Sequence, residues 1–429
     1  MAINKRIFAL LMIMLSVIGA SADNGINSPY SRYGVGILSD QSLGINRQMG
    51  GLGYALRNRH FINIQNPASF SEADTLTMLF EAGFSMQNVN FKEGSKRINA
   101  RNASFDYVAM QFRLCKGLGL SAGFLPYSNV GYSFSKTENE HKKEDGTTVP
   151  QHSETYNGTG GLYQPYIGLG WKPFSWFAAG VMGSYVYGDI THQVVSEFPN
   201  STGRSKVYNA TIKSYKVDFG AQIMAKLAAK HHLTLGATYS LGHDMNADAT
   251  LTSTTSGASN VTSIPGGFKL PHTFGGGIAY RYNDRLTIGA DYTHQQWSTS
   301  TFFDQAGSNA DERMSIGTDR SKFSLGAELA PNQISKNLLK MMSYRAGIHY
   351  TQPYTRINGY EGCDEYGISA GVSIPFFNNN NSYSHGTLHV SGEFIHLRPR
   401  SAGLITENYL RINLGITFNE NWFMKLRVR

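Results

Sequence analysis

After residue 22 the chain has no apolar run approaching the roughly 18 residues that a membrane-crossing helix needs. A helical membrane protein is thereby excluded. Cysteine is scarce, with only Cys115 and Cys363 in 429 residues, so at most one disulfide is available in an oxidising compartment. Charge is also sparse at 16% of residues, and no basic stripe interleaved with aromatics occurs, which argues against a nucleic-acid partner. The thirteen histidines form no HExxH and no Cys/His zinc spacing, and there is no phosphate loop or dinucleotide fingerprint. His141 and His152 share a loop with Glu138, Glu140, Glu144 and Asp145. Without a D-x-D-x-D-G pattern this reads as a solvated charge run, so no metal and no cofactor is expected.

What is abundant is alternation. Leu410, Ile412, Leu414, Ile416 and Phe418 fall on one face of a strand, with Arg411, Asn413, Gly415 and Thr417 on the other. Leu286-Ile288-Ala290-Tyr292 and Phe323-Leu325-Ala327-Leu329 repeat that period of two. Many such segments exceed the roughly 9–11 residues of a tilted bilayer-crossing strand. An open sheet leaves backbone groups unsatisfied in lipid, so a membrane location requires closure. The predicted fold is all-β, a transmembrane antiparallel up-and-down β-barrel. Mean hydropathy of −0.29, 46 glycines, 24 Tyr and 24 Phe fit a polar interior and aromatic girdles.

Lys5 and Arg6, the apolar Ile7 to Ile18 and Ala20-Ser21-Ala22 form a secretory signal peptide over residues 1–22. Removing its two cations takes the formal charge from +8 to +6. Residues 23–74 carry Gly34, Gly36, Gly44, Gly50, Gly51 and Gly53 with no sustained period, yet enough apolar residues to argue against a disordered tail. They are expected to form a hatch inside the lumen. Residues 75–429 then form the barrel and a short periplasmic tail.

Fourteen strands are predicted, at about 75–92, 98–116, 117–136, 154–174, 176–196, 206–229, 232–252, 268–283, 285–303, 314–331, 340–358, 364–378, 383–399 and 408–418. Short turns such as Cys115-Lys116-Gly117 alternate with longer polar loops such as 137–153 and 253–267, as in barrels with both termini in the periplasm. That topology places the two cysteines at opposite ends, so both should be free. Trp171 and Trp176 mark an interfacial girdle. Arg345 and His349, His389 and Glu393, Lys322 and Glu328, Asp291, Arg411 and Asn413 should face the lumen. Gly119-Leu120-Ser121-Ala122-Gly123 and Gly367-Ile368-Ser369-Ala370-Gly371 both fit G-x-S-x-G. They lie within strands rather than at a strand-to-helix turn, so no enzyme is expected.

Two features resemble the FadL/TodX family of outer-membrane channels. Asn66-Pro67-Ala68 closes the Gly-rich segment before strand one, as in that family's hatch. Pro126 interrupts strand three, where proline belongs at a kink. The resemblance implies a Gram-negative outer membrane, lipid as a partner, and uptake of hydrophobic small molecules through a lateral gap at Pro126. The opening Ser28-Pro29-Tyr30-Ser31-Arg32-Tyr33-Gly34 looks like that of FadL-like barrels from Bacteroidota, some of which serve in secretion or membrane-protein assembly complexes. With the polar lumen faces and the basic tail Trp422 to Arg429, it supports the alternative of a non-transporting barrel subunit or docking platform.

Overall fold

A computed structural model describes residues 25–421, except 76, 143–147, 200, 266, 301, 304–312, 315–316, 332–336, 358–359, 378–384 and 402. The expected signal peptide and basic tail lie outside the described residues. The wall consists of fourteen antiparallel strands: β1 (Thr77–Glu93), β2 (Lys96–Cys115), β3 (Leu118–Glu138), β4 (His152–Phe174), β5 (Phe177–Phe198), β6 (Ser201–Ala228), β7 (His231–Ser240), β8 (Thr273–Tyr282), β9 (Leu286–Gln295), β10 (Arg320–Leu329), β11 (Ser343–Thr351), β12 (Cys363–Phe377), β13 (His385–Pro399) and β14 (Thr406–Asn421). Each strand pairs with its chain neighbours. Pairing of β14 with β1, from Thr77 opposite Asn421 to Lys92 opposite Thr406, closes the ring. Closure removes both sheet edges, which is what allows strands to lie in lipid.

The period of two sets the orientation of wall side chains between the register shifts, which fall in β1 to β7. On β14, Leu410 and Ile412 are exposed on the outside while Asn413, Gly415 and Thr417 are buried within. Trp171 near the end of β4 and Trp176 in the Ser175–Trp176 turn are exposed, and Trp176 stacks on Phe174 with centroids 5.7 Å apart, as an interfacial girdle requires. Both cysteines are free, Cys115 at a turn and Cys363 at the far end of β12.

The fourteen expected strands are all present, but two expectations about them need correction. Strands on one side are shorter than the alternation suggests: β7 to β10 have 10 residues each and β11 has 9. The opposite wall is tall, with 23, 22 and 28 residues in β4, β5 and β6. The segment 232–252 is also not one strand. β7 ends at Ser240, and Asn246–Thr255 is a separate strand that pairs back on the upper half of β6, from Asn246 opposite Lys213 to Thr255 opposite Arg204. Its hairpin partner is Ala258–Pro265, so most of the expected loop 253–267 is itself a strand. The apolar alternation runs on, but the face it marks reverses: Leu235 is exposed on the outside opposite Ile223, whereas Ala249 and Leu251 are buried within opposite Ala210 and Tyr208.

This hairpin helps roof the barrel. Ala249, Leu251 and Ile264 pack with Val186, Ile190, Tyr208 and Ile212 of the tall wall, and the same buried cluster reaches Trp297 and Tyr354 beyond the ends of β9 and β11. Trp297 and Tyr354 meet with ring centroids 4.8 Å apart, and Val35 of the hatch joins the cluster from below. The end of the barrel on this side of the hatch is spanned by an apolar core.

Candidate functional site

The candidate site is the interior, and glycine shapes it. Gly119, Gly170, Gly180 and Gly220 are direct cross-strand neighbours on β3 to β6. Gly289, Gly326 and Gly347 are neighbours in the same way on β9 to β11. A Cβ added at these positions would strike the hatch: Phe70 at Gly119, Pro67 at Gly170 and Gly180, Asn66 at Gly220, Leu52 at Gly289, and the Met49 backbone at Gly326 and Gly347. Gly236 meets the Tyr54 carbonyl and Gly371 meets Gln48 in the same manner. The wall is therefore grooved by a belt of glycines, and hatch residues 48–55 and 66–71 lie in the groove. Within the hatch, Gly50 and Gly51 adopt φ of +70° and +78°, a backbone that side chains rarely take, where the chain turns against Ile348.

Asn66-Pro67-Ala68 sits on this belt. The Asn66 side chain accepts from Ala68 N at 3.1 Å, capping a short 3₁₀ turn Pro67–Glu72, and donates to Tyr54 O at 2.8 Å and to Ala221 O of β6 at 3.2 Å. Apolar hatch residues Leu43, Ile62, Ile64 and Phe70 pack on Leu79, Tyr107, Leu125, Tyr166 and Met182 of the wall.

Polar groups complete the attachment. Arg47 pairs with Asp106 of β2 at 2.7 Å, both nearly fully buried. Asp291 of β9 accepts from Gly53 N at 2.6 Å and Tyr54 N at 2.9 Å. Glu81 of β1 accepts from Ile62 N at 3.0 Å, Arg57 donates to Gln222 of β6 at 2.6 Å, and Arg345 of β11 donates to Gln48 at 3.0 Å. The two G-x-S-x-G serines are used structurally: Ser121 donates to Met110 O at 3.0 Å, and Ser369 accepts from Gly50 N at 2.9 Å. In the hatch, burial works to raise the Asp40 carboxyl, but Lys322 and Arg47 outweigh it and hold the group well below the carboxylate range. Glu72 is likewise held low by Arg57 and Lys172 against burial.

Between hatch and roof lies a cavity of about 260 Å³. Among its lining groups are acid–base pairs: Lys322 with Asp40 at 3.5 Å, Arg411 with Glu393 at 3.2 Å, His349 with Glu365 at 3.0 Å, and Lys216 with Asp218. The expected lumen-facing groups are thus inside, most of them engaged with one another or with the hatch; Arg345 and Glu328 pair at 2.5 Å. Asp40, Arg47 and Asp106, which complete the network, were not singled out from the sequence. The only sequence signal of Asp40 and Arg47 is charge in a segment otherwise rich in glycine, and that of Asp106 is a single carboxylate in a strand.

Pro126 marks a discontinuity in the wall. Pairing of β3 with β4 shifts register between Pro126 and Ser128. Pairing of β2 with β3 runs from the turn after Cys115 only to Val108 opposite Phe124, although β2 pairs with β1 up to Lys96. Above that level the two strands part, and the hatch's first residues occupy the seam. Ile37 and Leu38 pair with Asn129 and Ser128 of β3, Ser28 N donates to Gly131 O at 2.8 Å, and Asn27 meets Asn102 of β2 at 3.0 Å. The described chain begins here, with Gly25 against Ser104 of β2.

A family model described as BamG matches residues 3–428. The chain belongs to the BamG family. No curated protein matches it. Among solved structures this BamG-family chain is similar to the Pseudomonas putida toluene transporter TodX, at 16% identity and a TM-score of 0.54, covering 91% of this chain and 100% of that one. A Pseudomonas aeruginosa FadL homologue aligns at 11% identity and 0.57, covering 90% and 99%. The Ralstonia pickettii toluene transporter TbuX aligns at 16% and 0.52, covering 89% and 98%. The FadL/TodX resemblance is borne out for the fold: this BamG-family chain is a closed fourteen-strand antiparallel barrel similar to those outer-membrane barrels.

Proposed function

We propose that the protein is a non-transporting outer-membrane barrel that serves as a fixed subunit or docking platform of an outer-membrane complex, of the secretion or protein-assembly kind. One observation carries this reading: the lumen is filled at two levels, by a hatch set into a glycine groove and by an apolar roof, with paired charges between. A hatch held by backbone-to-glycine contact and buried ion pairs would lose many interactions at once on moving, and unpairing one buried ion pair alone costs about 3–5 kcal/mol. A hydrophobic solute gains from apolar surroundings, and the acid–base pairs of the cavity offer it few. The hatch then serves as a permanent internal brace, and the outer surfaces do the work. The test is purification in gentle detergent beside planar-bilayer recording. Stable co-purification of stoichiometric partners with an electrically silent barrel is expected, whereas a lone monomer with steady conductance would reject the reading.

A second reading, uptake of hydrophobic small molecules, is favoured by one feature: the separation of β2 from β3 next to Pro126, in a fold shared with channels named for toluene and monoaromatic hydrocarbons. Cargo would leave for the bilayer through the seam once residues 25–39 withdrew. Cells carrying Pro126→Ala or a disulfide pinning Gly25→Cys to Ser104→Cys should then take up toluene or fatty acids more slowly than wild type. Uptake equal to wild type in both variants would eliminate it.

A further inference from the structure

The roof hairpin ends in a strand with one open side. Among the described residues Ala258–Pro265 pairs only with Asn246–Thr255. Val261 is 62% exposed, and Asn260, Thr262 and Ser263 beside it are exposed as well. An edge strand presents a row of unpaired N–H and C=O groups, and proteins ordinarily guard such edges with lysine, inward charges or proline. From Ala249 to Phe268 the chain has no Asp, Glu, Lys or Arg, and its one proline, Pro265, stands at the strand's end. Thr, which favours strands, occurs five times in this stretch instead.

Among the described residues another open edge is guarded. The upper part of β2, unpaired toward β3, carries exposed Lys96, Arg97 and Arg101. The bare roof edge therefore differs in kind. We propose that Ala258–Pro265 accepts an extended, uncharged segment of a partner protein, added antiparallel as the next strand of the roof sheet.

The chemistry of the edge selects that occupant. Main-chain donors and acceptors in strand spacing recognise another extended backbone, which is the mode of β-strand addition. Charge matching then points to a neutral segment, since a charged strand would be desolvated here without a counter-charge. The apolar core containing Leu251 and Ile264 reaches the hairpin, so alternate apolar side chains of the added strand would extend an existing interface. A second copy fits less well. Two barrels in one membrane are related by an axis along its normal, which sets the two edges parallel rather than antiparallel. The inference rests on the docking reading only for who supplies the segment.

The experiment uses the full-length protein in nanodiscs and a fluorescent, end-capped peptide copying the uncharged residues Ala249–Thr255, the segment that already pairs with this strand. Saturable binding is expected by fluorescence anisotropy. Asn260→Lys with Thr262→Lys should weaken it at least tenfold, whereas Arg97→Ala should leave it unchanged. Unaltered heat-modifiable gel migration would show that the lysine variant remains folded. No saturable binding, equal binding by the lysine variant, or a wild-type dimer dissolved by those lysines would each overturn the proposal. Peptide failure with partner co-purification intact would reject this edge and leave the docking reading standing.

Discussion

The tall wall, β3 to β6, and the low wall, β7 to β11, obey the same alternation yet have different interiors. Low-wall strands of 9 or 10 residues are close to the minimum that crosses a bilayer. Their inward groups are largely polar and engage the hatch or one another, as Arg345 does with Gln48 and Glu328. The tall wall runs on beyond that length. Its surplus turns apolar on the inside, with Val130, Leu162, Val186, Ile190 and Ile212 fully buried beneath the roof. Lipid thus dictates only the minimum height and the outer face. Inner polarity follows whatever stands opposite, water and hatch on one side and folded protein on the other.

The hardest blow to this contrast is excision of the roof hairpin, replacing residues 246–265 by a short Gly-Ser turn. The tall wall should lose its interior partner while the low wall keeps its own. A cysteine at Ser240, which lines the cavity, should change from unreactive to labelled by a bulky maleimide on whole cells, with at least a tenfold gain in rate. Unchanged labelling would mean that the roof does not bar the mouth.

Two point substitutions compare the walls directly. Trp297→Ala removes the largest fully buried roof side chain and should cost about 3–5 kcal/mol. Arg345→Met strands Glu328 in the low wall and should cost about 3–5 kcal/mol by loss of a buried partner. Denaturant midpoints in detergent read both. The double variant should be additive within about 0.5 kcal/mol if the two interiors are independent.

Much of this architecture was legible beforehand. The fourteen strands, the outward Leu410 and Ile412, the inward Arg345 and Asp291 and the interfacial Trp171 all follow from a period of two that lipid and lumen enforce. Asn66-Pro67-Ala68 and Pro126 were legible as landmarks, because proline cannot serve in a ladder. The roof was hidden, since residues 232–252 alternate straight through the change from β7 to the hairpin. The glycine belt was hidden too: Gly326 reads as a neutral inward position, and its purpose exists only once Met49 lies against it. Ion-pair partners such as Arg47 and Asp106 are 59 positions apart and carry no joint signal in one chain.

A finer test separates belt glycines from ordinary ones. Gly326→Ala should push the Met49 backbone and cost about 1–3 kcal/mol by overpacking. Gly183→Ala on the tall wall meets nothing within 4 Å and should leave the midpoint within about 0.5 kcal/mol. Equal effects would remove the belt.

The smallest effect is that of pH. Asp40 and Glu72 are held below the ordinary carboxylate range when folded, so their contribution is complete above that range and is lost as pH falls through the depressed values. The midpoint should fall on acidification below the carboxylate range, and Asp40→Asn should flatten that fall. An identical pH profile would show that Asp40 adds no pH-dependent hold.

The glycine groove also constrains how the molecule comes into being. Its floor is spread over strands from β3 to β12, and the ring shuts only where the last strand meets the first. A finished cylinder could not be filled afterwards, because the roof blocks one entrance and the groove admits the hatch backbone in a single pose. The leading segment must already be in place while later strands are laid beside it, like a mandrel about which the sheet is wound.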